Sequence, residues 1–414
     1  MQPSVLLPNL TVLEWHPRSL TPHVPIIFIQ RLLSPTLVSL TVNLSEADGA
    51  TLLSFFDNYP LLCRNLKSVN FRFSAGSQTA TTTKHALSRA ICNQEDLENV
   101  AIRAPIDDIA FRHLSTMPTL KTLTVNLTEI SRSQTRSFLP TDPLFCSVEE
   151  LEFEASDLDL VTSLLRPRDQ IFHTFRLCRY GRQPSDAFVA LLNVLASQSR
   201  TTPLQKLILS CGHISLPLSV DQMATEAMRY SLSYEILQPL TVLGSLRVLM
   251  IEWNEQISLD DDDVANLARS WPMLQVFHFY CLRGGHGLFS TKYATLRSVL
   301  TLAKSCPELH TISLPLDARQ VPVVDEAEPL ETNFSCVIVP ESPIDDAGPV
   351  AEFLLTHLPC VTAVDAEFMR MPGTNSSQLM EYEVAWAEVQ TRLEVFNGWE
   401  EPGGYSSDDT DTDT

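Results

Sequence analysis

The sequence predicts an α/β solenoid in which strands and helices alternate along the chain and stack as repeats. Three observations predict it. A short apolar pattern with strand-like spacing recurs from Leu10 to Val361, segments with helical spacing lie between its copies, and proline precedes many of the copies. A single unit of this kind cannot bury its own apolar side, so its neighbours must stack on it. We therefore expect a right-handed, curved solenoid with parallel strands on its concave face and helices on its convex face.

The recurring pattern has the form apolar-x-x-apolar-x-apolar, as in Leu10, Leu13 and Trp15. Its twelve copies begin at Leu10, Leu37, Leu66, Leu97, Leu120, Val148, Phe172, Leu204, Leu246, Leu274, Leu309 and Val361. Most copies begin 23 to 35 residues after the previous one, close to the period of about 20–29 residues that is typical of leucine-rich repeats. The spacing thus predicts about twelve irregular leucine-rich repeats, and the intervals of 42 and 52 residues before the copies at Leu246 and Val361 indicate insertions.

The turns and helices between the strands are marked by proline and by apolar spacing. Proline stands two residues before six of the copies, at Pro8, Pro35, Pro118, Pro272, Pro307 and Pro359. Because proline cannot continue a helix, it indicates where a helix ends and the next strand begins. Helical spacing predicts helices at Ser45 to Tyr59, Asp107 to Met117, Ser185 to Ser199, Leu259 to Trp271 and Thr295 to Cys306.

Three segments near the carboxyl end differ from the regular repeats. Residues 321–349 are acidic and rich in proline, and they predict an insertion around one strand at Phe334 to Val339. Residues 377–399 predict a helix that caps the last repeat, so that the repeat domain covers residues 1–399. Residues 400–414 are acidic and almost without apolar side chains, which predicts a disordered tail.

Composition narrows the possible functions. The 414 residues include 29 basic and 50 acidic side chains and carry a formal net charge of -21, which disfavours a nucleic-acid partner. The apolar stretches, such as Val24 to Leu33, are shorter than the roughly 18 residues of a membrane span. The first ten residues have no signal-peptide pattern, so we expect a cytoplasmic or nuclear protein with no membrane partner.

The residues that suggest chemistry are better explained by structure. The glycine-dense stretch Arg283 to Gly287 lacks the residues of a phosphate loop. A zinc site at His278, Cys281 and His286 is weighed against packing in a strand, and packing is favoured because the cysteine has no close thiol partner. The run Asp260 to Asp263 is favoured as a helix cap over a cation site. We therefore expect no enzyme activity, metal or cofactor.

The cysteines and tryptophans are predicted to fill the core. Cys63, Cys146 and Cys306 precede strands at helix-to-strand turns, where a small thiol packs well. The indoles of Trp15, Trp253 and Trp271 are predicted to pack in the core or at its edge.

The surface predicted to bind a partner is the concave strand face. Strand side chains alternate, so the residues between the apolar positions project onto this face. The predicted partner-binding residues are Arg72, Arg103, Glu152, Glu154, Arg176, Met250, His278 and Tyr280. The first five supply charge and the last three an apolar or mixed surface, which is the composition of protein-binding sites. The alternative is that insertions of the protein itself cover these residues.

Several segments resemble the cysteine-containing type of leucine-rich repeat. They are Ile106 to Val125 (IDDIAFRHLSTMPTLKTLTV), Leu259 to Phe279 (LDDDDVANLARSWPMLQVFHF) and Thr295 to Leu314 (TLRSVLTLAKSCPELHTISL). With the opening LLPNLTVLEW and the acidic, proline-rich later region, the chain is similar to fungal F-box proteins with such repeats. In that family the F-box binds a Skp-type adaptor of a cullin ubiquitin ligase, and the repeats hold the substrate.

The resemblance implies a non-catalytic, protein-binding repeat module that recognises substrates for an SCF-type ubiquitin ligase. The first repeat begins by Leu10, so we expect no F-box within this chain and a Skp-type adaptor only if an F-box lies upstream. The alternative function is a ligase-independent scaffold or inhibitor. The sequence does not identify the protein partner.

Overall fold

The computed structural model confirms the α/β leucine-rich-repeat solenoid fold. It describes residues 6–16, 27–44, 48–73, 81–130, 144–166, 172–179, 181, 185–198, 203–211, 231–253, 257–281, 293–324, 329–330, 332–340, 342–366 and 376–398. The predicted tail at 400–414 and the stretch Arg283 to Gly287 lie outside these residues. The chain forms two compact units, Met1–Tyr230 with Glu235–Glu252, and Ser231–Tyr234 with Trp253–Thr414.

A strand follows each of the twelve predicted repeat starts. In chain order the strands are β1 (Val12–Trp15), β2 (Ser39–Asn43), β3 (Ser68–Arg72), β4 (Asn99–Pro105), β5 (Thr122–Asn126), β6 (Glu150–Ala155), β7 (Thr174–Arg179), β8 (Lys206–Cys211), β9 (Leu232–Ser233), β10 (Val248–Trp253), β11 (Ile257–Ser258), β12 (Val276–Cys281), β13 (Thr311–Ser313), β14 (Cys336–Ile338) and β15 (Ala363–Asp365). In the first unit β1 to β8 and then β10 pair in this order, all parallel. In the second unit β12 to β15 pair in order and parallel, and β9 pairs with β11.

The described helices, except the last, all lie between strands along the chain. They are α1 (Ile27–Gln30), α2 (Gly49–Leu62), α3 (Thr81–Cys92), α4 (Asp108–Thr116), α5 (Leu158–Leu165), α6 (Ser185–Gln198), α7 (Tyr234–Leu237), the 3-10 helix η1 (Gln238–Val242), α8 (Asp261–Ser270), α9 (Leu296–Ser305), α10 (Ala347–His357) and α11 (Ser376–Phe396). Four of the five helices predicted by spacing agree with α4, α6, α8 and α9 to within two residues at each end.

Helix α2 departs from its predicted bounds at both ends. It begins at Gly49 behind the cap Asp48, and it continues past Pro60 to Leu62 instead of ending at Tyr59. Pro60 lacks a backbone N–H, but the amide of Cys63 still donates to the carbonyl of Tyr59 at 2.9 Å. The ring of Tyr59 packs against Phe71 with centroids 5.4 Å apart, and this contact holds the last turn in place.

The register of the strands aligns the apolar positions of successive repeats. In the first unit Leu123 of β5 is level with Val100 of β4 and Leu151 of β6, and all three are buried. The same holds two residues further along, where Val125 is level with Phe153. Because strand side chains alternate, this register also aligns the intervening residues in rows on the opposite face.

The start of α8 is capped as the sequence predicts. The side chain of Asp260 accepts from the amide of Asp263, whose side chain accepts from the amide of Asp260, so a capping box begins α8.

The thiols of Cys63 and Cys306 are buried at the turns after α2 and α9. Burial raises the pKa of each thiol to about 12. Trp253 and Trp271 are also buried, whereas Trp15 is partly exposed.

The prediction that Cys146 fills the core is wrong, because Cys146 is exposed. Its neighbour Phe145 occupies the core instead, with φ at 59°, in the left-handed region. The Phe145 ring packs against Phe111 and Phe153, with centroids 6.0 and 5.8 Å apart. This turn of the backbone directs the larger apolar ring inward and leaves the thiol outside.

The segment 321–349, predicted as an insertion, contributes a strand to the sheet. The predicted strand is β14, which pairs with β13 on one side and β15 on the other. Phe334, Val337 and Val339 are buried and follow the repeat pattern, and Phe334 lies 25 residues after Leu309 and 27 before Val361. The interval of 52 residues is therefore two ordinary repeats. Pro349 lies in the first turn of α10, where no intrahelical N–H donor is needed.

Helix α11 packs against the last strand and against α10. Its Trp386, Val389 and Leu393 are buried. The indole Nε1 of Trp386 donates to the carbonyl of Ser342 at 2.8 Å. The side-chain carbonyl of Gln390 accepts from the amide of Val364 in β15 at 2.6 Å. This helix thus covers apolar surface and satisfies a strand amide, which the alternation of its apolar residues alone does not predict.

Candidate functional site

Two rows of side chains cross the strand face of the first unit. The row nearer the starts of the strands consists of Val12, Ser39, Ser68, Asn99, Thr122, Glu150, Thr174, Lys206 and Val248. The second row consists of Glu14, Thr41, Asn70, Ala101, Thr124, Glu152, Arg176, Ile208 and Met250. Nearly all of these residues are partly or fully exposed, and only Thr124 is buried. The rows therefore form the accessible side of the sheet.

Three of the predicted binding residues form one charged cluster. The guanidinium of Arg103 contacts Glu152, with Nη2 2.9 Å from Oε1, and Glu154, with Nη1 2.8 Å from Oε1. Arg103 belongs to β4 and both carboxylates to β6, so the arginine reaches across β5. The register between β4 and β5 shifts between Ile102 and Pro105, and this irregularity accompanies the unusual reach of Arg103.

Glu154 is the buried member of this cluster. Its side chain is only 5% exposed, whereas that of Arg103 is 49% exposed. Asn126 of β5 donates from Nδ2 to Glu154 Oε2 at 3.0 Å. Burial raises the pKa of Glu154, and the charge and hydrogen bond of Arg103 offset this effect only in part. Burial also acts to lower the pKa of Arg103, but the charges of Glu152 and Glu154 outweigh it and the pKa is raised.

Arg176 lies beside the cluster and borders a small pocket. Arg176 belongs to β7 and is level with Glu152 of the neighbouring strand β6. The pocket holds about 190 Å³ and is lined by Thr122, Leu123, Thr124, Glu150, Leu151, Glu152, Thr174 and Arg176. The Nε atom of Arg176 is buried and has no hydrogen-bond partner among the described residues. The residue as a whole is partly exposed and makes no ion pair within the described ranges, so its guanidinium can still pair with an acceptor.

The face becomes more apolar along β8 and β10. Ile208 is level with Arg176 and with Met250, and Lys206 is level with Val248. All four residues of β8 and β10 in the two rows are partly exposed. The structure thus places Met250 two strands away from Arg176, in the same row.

Arg72 is exposed at the end of β3 and is not part of the charged cluster. It follows Phe71, which is level with Ile102 of β4. Within the described ranges Arg72 makes no ion pair. Its predicted role in binding stays a prediction.

His278 and Tyr280 lie on β12 in the second unit. Their rings stack with centroids 6.0 Å apart and an interplanar angle of 25°. Tyr280 is only 9% exposed, so it offers little of its ring to a partner. Burial lowers the pKa of His278. Among the described residues no three His, Cys, Asp or Glu side chains lie close enough to hold a metal ion, and His286 lies outside those residues.

The predicted binding residues do not include some of the side chains that complete the site. Asn126 supplies a hydrogen bond to Glu154, and Glu150, Thr174 and Lys206 extend the charged face. The alternation of strand side chains could have identified Glu150 and Lys206, because each stands two residues before a residue of the second row. The contact between Arg103 and Glu154 carries no such signal, since it spans two strands that are far apart in sequence.

The sequence matches no protein-family model and no curated protein. Solved structures with a similar fold include a chain of the complex of Rad7 and Elc1 in yeast. It is 14% identical, with a TM-score of 0.43, over 84% of this chain and 81% of that chain. Another is the leucine-rich repeat-containing protein LegL7 from Legionella pneumophila. It is 13% identical, with a TM-score of 0.34, over 93% of this chain and 97% of that chain. None of the described helices is long and apolar enough to cross a membrane.

Proposed function

We propose that this chain is a non-catalytic module that binds a partner protein on the strand face of its first unit. The observation that carries the proposal is Arg176, which is partly exposed, borders the pocket and has no ion-pair partner in the described part of the chain. It stands between an acidic strand and an apolar one, as part of a continuous row. A partner carboxylate against the guanidinium of Arg176 would supply the charge pairing that the folded chain leaves unmade.

The character of the face favours a protein over other ligands. The pocket beside Arg176, about 190 Å³, is smaller than the roughly 300–1,000 Å³ of typical small-molecule sites. Partly exposed charged, hydroxyl and apolar side chains side by side are typical of protein-binding surfaces. Glu150, Glu152 and Glu154 on one strand, in a chain with net charge -21, would repel a nucleic-acid backbone.

The cellular role that we propose is substrate recognition for a cullin-type ubiquitin ligase. This role is supported by the resemblance of the repeat segments to those of fungal F-box proteins. The repeats would hold the substrate, and a Skp-type adaptor would bind an F-box joined to them. A ligase-independent scaffold or inhibitor would use the same face without the adaptor. Co-purification of Skp and cullin subunits with the full-length natural protein would support the ligase role, and their absence would favour the scaffold.

Affinity capture with charge-reversal variants tests binding by the face. Arg176→Glu reverses the charge on the face, and Arg64→Glu makes the same change at an exposed turn between α2 and β3. We expect partner proteins captured by the wild-type chain to be retained by Arg64→Glu and lost from Arg176→Glu. Circular dichroism checks that both variants remain folded. Equal capture by both variants would place recognition elsewhere on the chain, including its proline-rich segment 321–349 or its acidic end.

A further inference from the structure

Four neighbouring strands of the first unit carry a regular succession of side chains. Glu152 of β6, Arg176 of β7, Ile208 of β8 and Met250 of β10 are level with one another. The succession is therefore acidic, basic, apolar and apolar. Glu150, Thr174, Lys206 and Val248 form the parallel row beside it. We refer to these eight residues as the β6–β10 surface.

Several charges of the β6–β10 surface are not neutralised by the chain itself. Glu150 is exposed, and neither it nor Lys206 has an ion-pair partner within the described ranges. Arg176 is partly exposed and also has no ion-pair partner there. Lys206 of β8 is level with Thr174 of β7, and Arg176 follows Thr174 by two residues in β7. The two cations are thus diagonal neighbours, close enough to share one carboxylate.

We propose that the β6–β10 surface binds an amphipathic α-helix of a partner protein, laid across the strands. This inference rests on the proposed function and specifies the partner's structure. Adjacent strands lie about 4.8 Å apart, so the four strands are at roughly 0, 4.8, 9.6 and 14.4 Å. Helix residues i, i+3, i+7 and i+10 lie on one face at about 0, 4.5, 10.5 and 15 Å along the axis. Each strand therefore meets one helix residue to within about 1 Å.

An extended peptide does not match this spacing. Residues on one side of an extended chain are about 6.7 Å apart, so across the strands they would lie at roughly 0, 6.7, 13.4 and 20 Å. The fourth residue would miss its strand by more than about 5 Å. If the peptide ran along the strands instead, it would contact mainly one or two of them. It could not then meet the acidic, basic and apolar residues together.

The charges of the β6–β10 surface specify the helix sequence. The residue at position i is basic and lies against the unpaired Glu150, since Glu152 already contacts Arg103. The residue at i+3 is acidic and lies between Arg176 and Lys206. The residues at i+7 and i+10 are apolar and pack on Ile208, Val248 and Met250. Opposite charges on the facing surfaces select this order and reject its charge-swapped form.

A pair of peptide libraries displayed against the whole chain tests the proposal. One library randomises positions i, i+3, i+7 and i+10 on a helical host, and the other randomises the same number of positions on an extended, proline-rich host. We expect binders from the helical library, with Lys or Arg at i, Asp or Glu at i+3 and apolar residues at the other two positions. A synthetic peptide with the selected sequence should bind Arg176→Glu about tenfold more weakly or worse. Replacing its acidic residue with lysine should restore binding to Arg176→Glu.

The outcomes separate this inference from the proposed function. No binders from the helical library, binders without the charge pattern, or equal binding to Arg176→Glu would overturn the helical partner. Binders from the extended library alone that lose affinity for Arg176→Glu would do the same, while the strand face would still bind protein. Lys206→Glu is the second variant, used if Arg176→Glu does not fold, and Arg64→Glu is the control that should bind like the wild type.

Discussion

The carboxylate of Glu154 is almost wholly removed from solvent, and its hydrogen bonds come from a long arginine and a short asparagine of two other strands. A buried charge is tolerated only when its partners compensate for the lost hydration. Arg103 is held by this carboxylate and by Glu152 at once. The cluster therefore fixes the orientation of three charged side chains on the strand face, and it leaves Arg176 and Lys206 as cations of that face without an ion pair among the described residues.

Replacing Arg103 with alanine tests this dependence. We expect the free energy of unfolding to fall by about 1–2 kcal/mol, because Glu154 loses its charged partner. The loss should be smaller than the roughly 3–5 kcal/mol seen for fully buried pairs, since Arg103 is itself half exposed. The double variant Arg103→Ala/Glu154→Gln should be more stable than Arg103→Ala alone, because the amide carries no charge. Urea unfolding measures both, and a double variant no more stable than the single one would contradict the argument.

His278 makes stability depend on pH. Burial lowers its pKa in the folded chain below the value of 6.5 expected when unfolded. A histidine with a lowered folded pKa contributes stability that is fully present above the unfolded pKa and is lost as pH falls through the folded pKa. The wild type should therefore lose more stability than His278→Gln between pH 7 and pH 5. Thermal unfolding followed by circular dichroism measures the difference, and parallel loss in both proteins would show that His278 does not contribute.

At the scale of elements, Asp261 joins two helices. It lies in the first turn of α8, and its carboxylate accepts from the amide and hydroxyl of Thr295 at 2.8 and 2.7 Å and from the hydroxyl of Ser298. Thr295 is also the cap of α9. One carboxylate therefore stabilises the start of its own helix through the dipole and orders the start of the next.

Asp261→Ala should lower the free energy of unfolding by about 2 kcal/mol, because it leaves polar groups at the start of α9 without their charged acceptor. Its neighbour Asp262 is exposed in the same turn and is the matched control. Asp262→Ala loses only a contribution to the helix dipole and should change stability by about 0.5 kcal/mol or less. Equal effects of the two substitutions, measured in urea, would mean that Asp261 acts only on its own helix.

Elements could be predicted from the sequence where local chemistry determines them. The strand after Leu120 follows from its apolar spacing, and the start of α8 follows from Asp260. The exposure of Cys146 and the burial of Phe145 could not be predicted, because they depend on a left-handed backbone at Phe145 and on aromatic rings from other repeats. The candidate site could likewise be predicted only in part. Alternation along a strand places Arg103 and Glu152 on one face, but their contact depends on the register of three strands.

At the scale of the whole molecule, net charge and local ion pairing oppose each other. The net charge of -21 favours expansion, because like charges are closer together in the folded chain than in the unfolded one. The described ion pairs act in the opposite direction. Those between Lys121 and Glu98 and between Arg89 and Asp57 lie at the surface, where water screens the two charges and each pair contributes little to stability.

The change of stability with salt concentration shows which of these two effects is larger. Raising ionic strength from 0.01 to 0.15 M shortens the screening length from about 30 to 8 Å, which weakens both the repulsion and the exposed pairs. Since the excess of negative charge acts over the whole chain, we expect added NaCl at pH 7 to raise the free energy of unfolding by more than roughly 0.5 kcal/mol, the usual range of a surface substitution. Changing Asp409, Asp411 and Asp413 to asparagine makes the net charge less negative and alters no described ion pair. These substitutions should reduce the increase in the free energy of unfolding that salt produces. A fall in stability with salt would mean that pairs such as Arg103 with Glu152 stabilise the fold more than the net repulsion destabilises it.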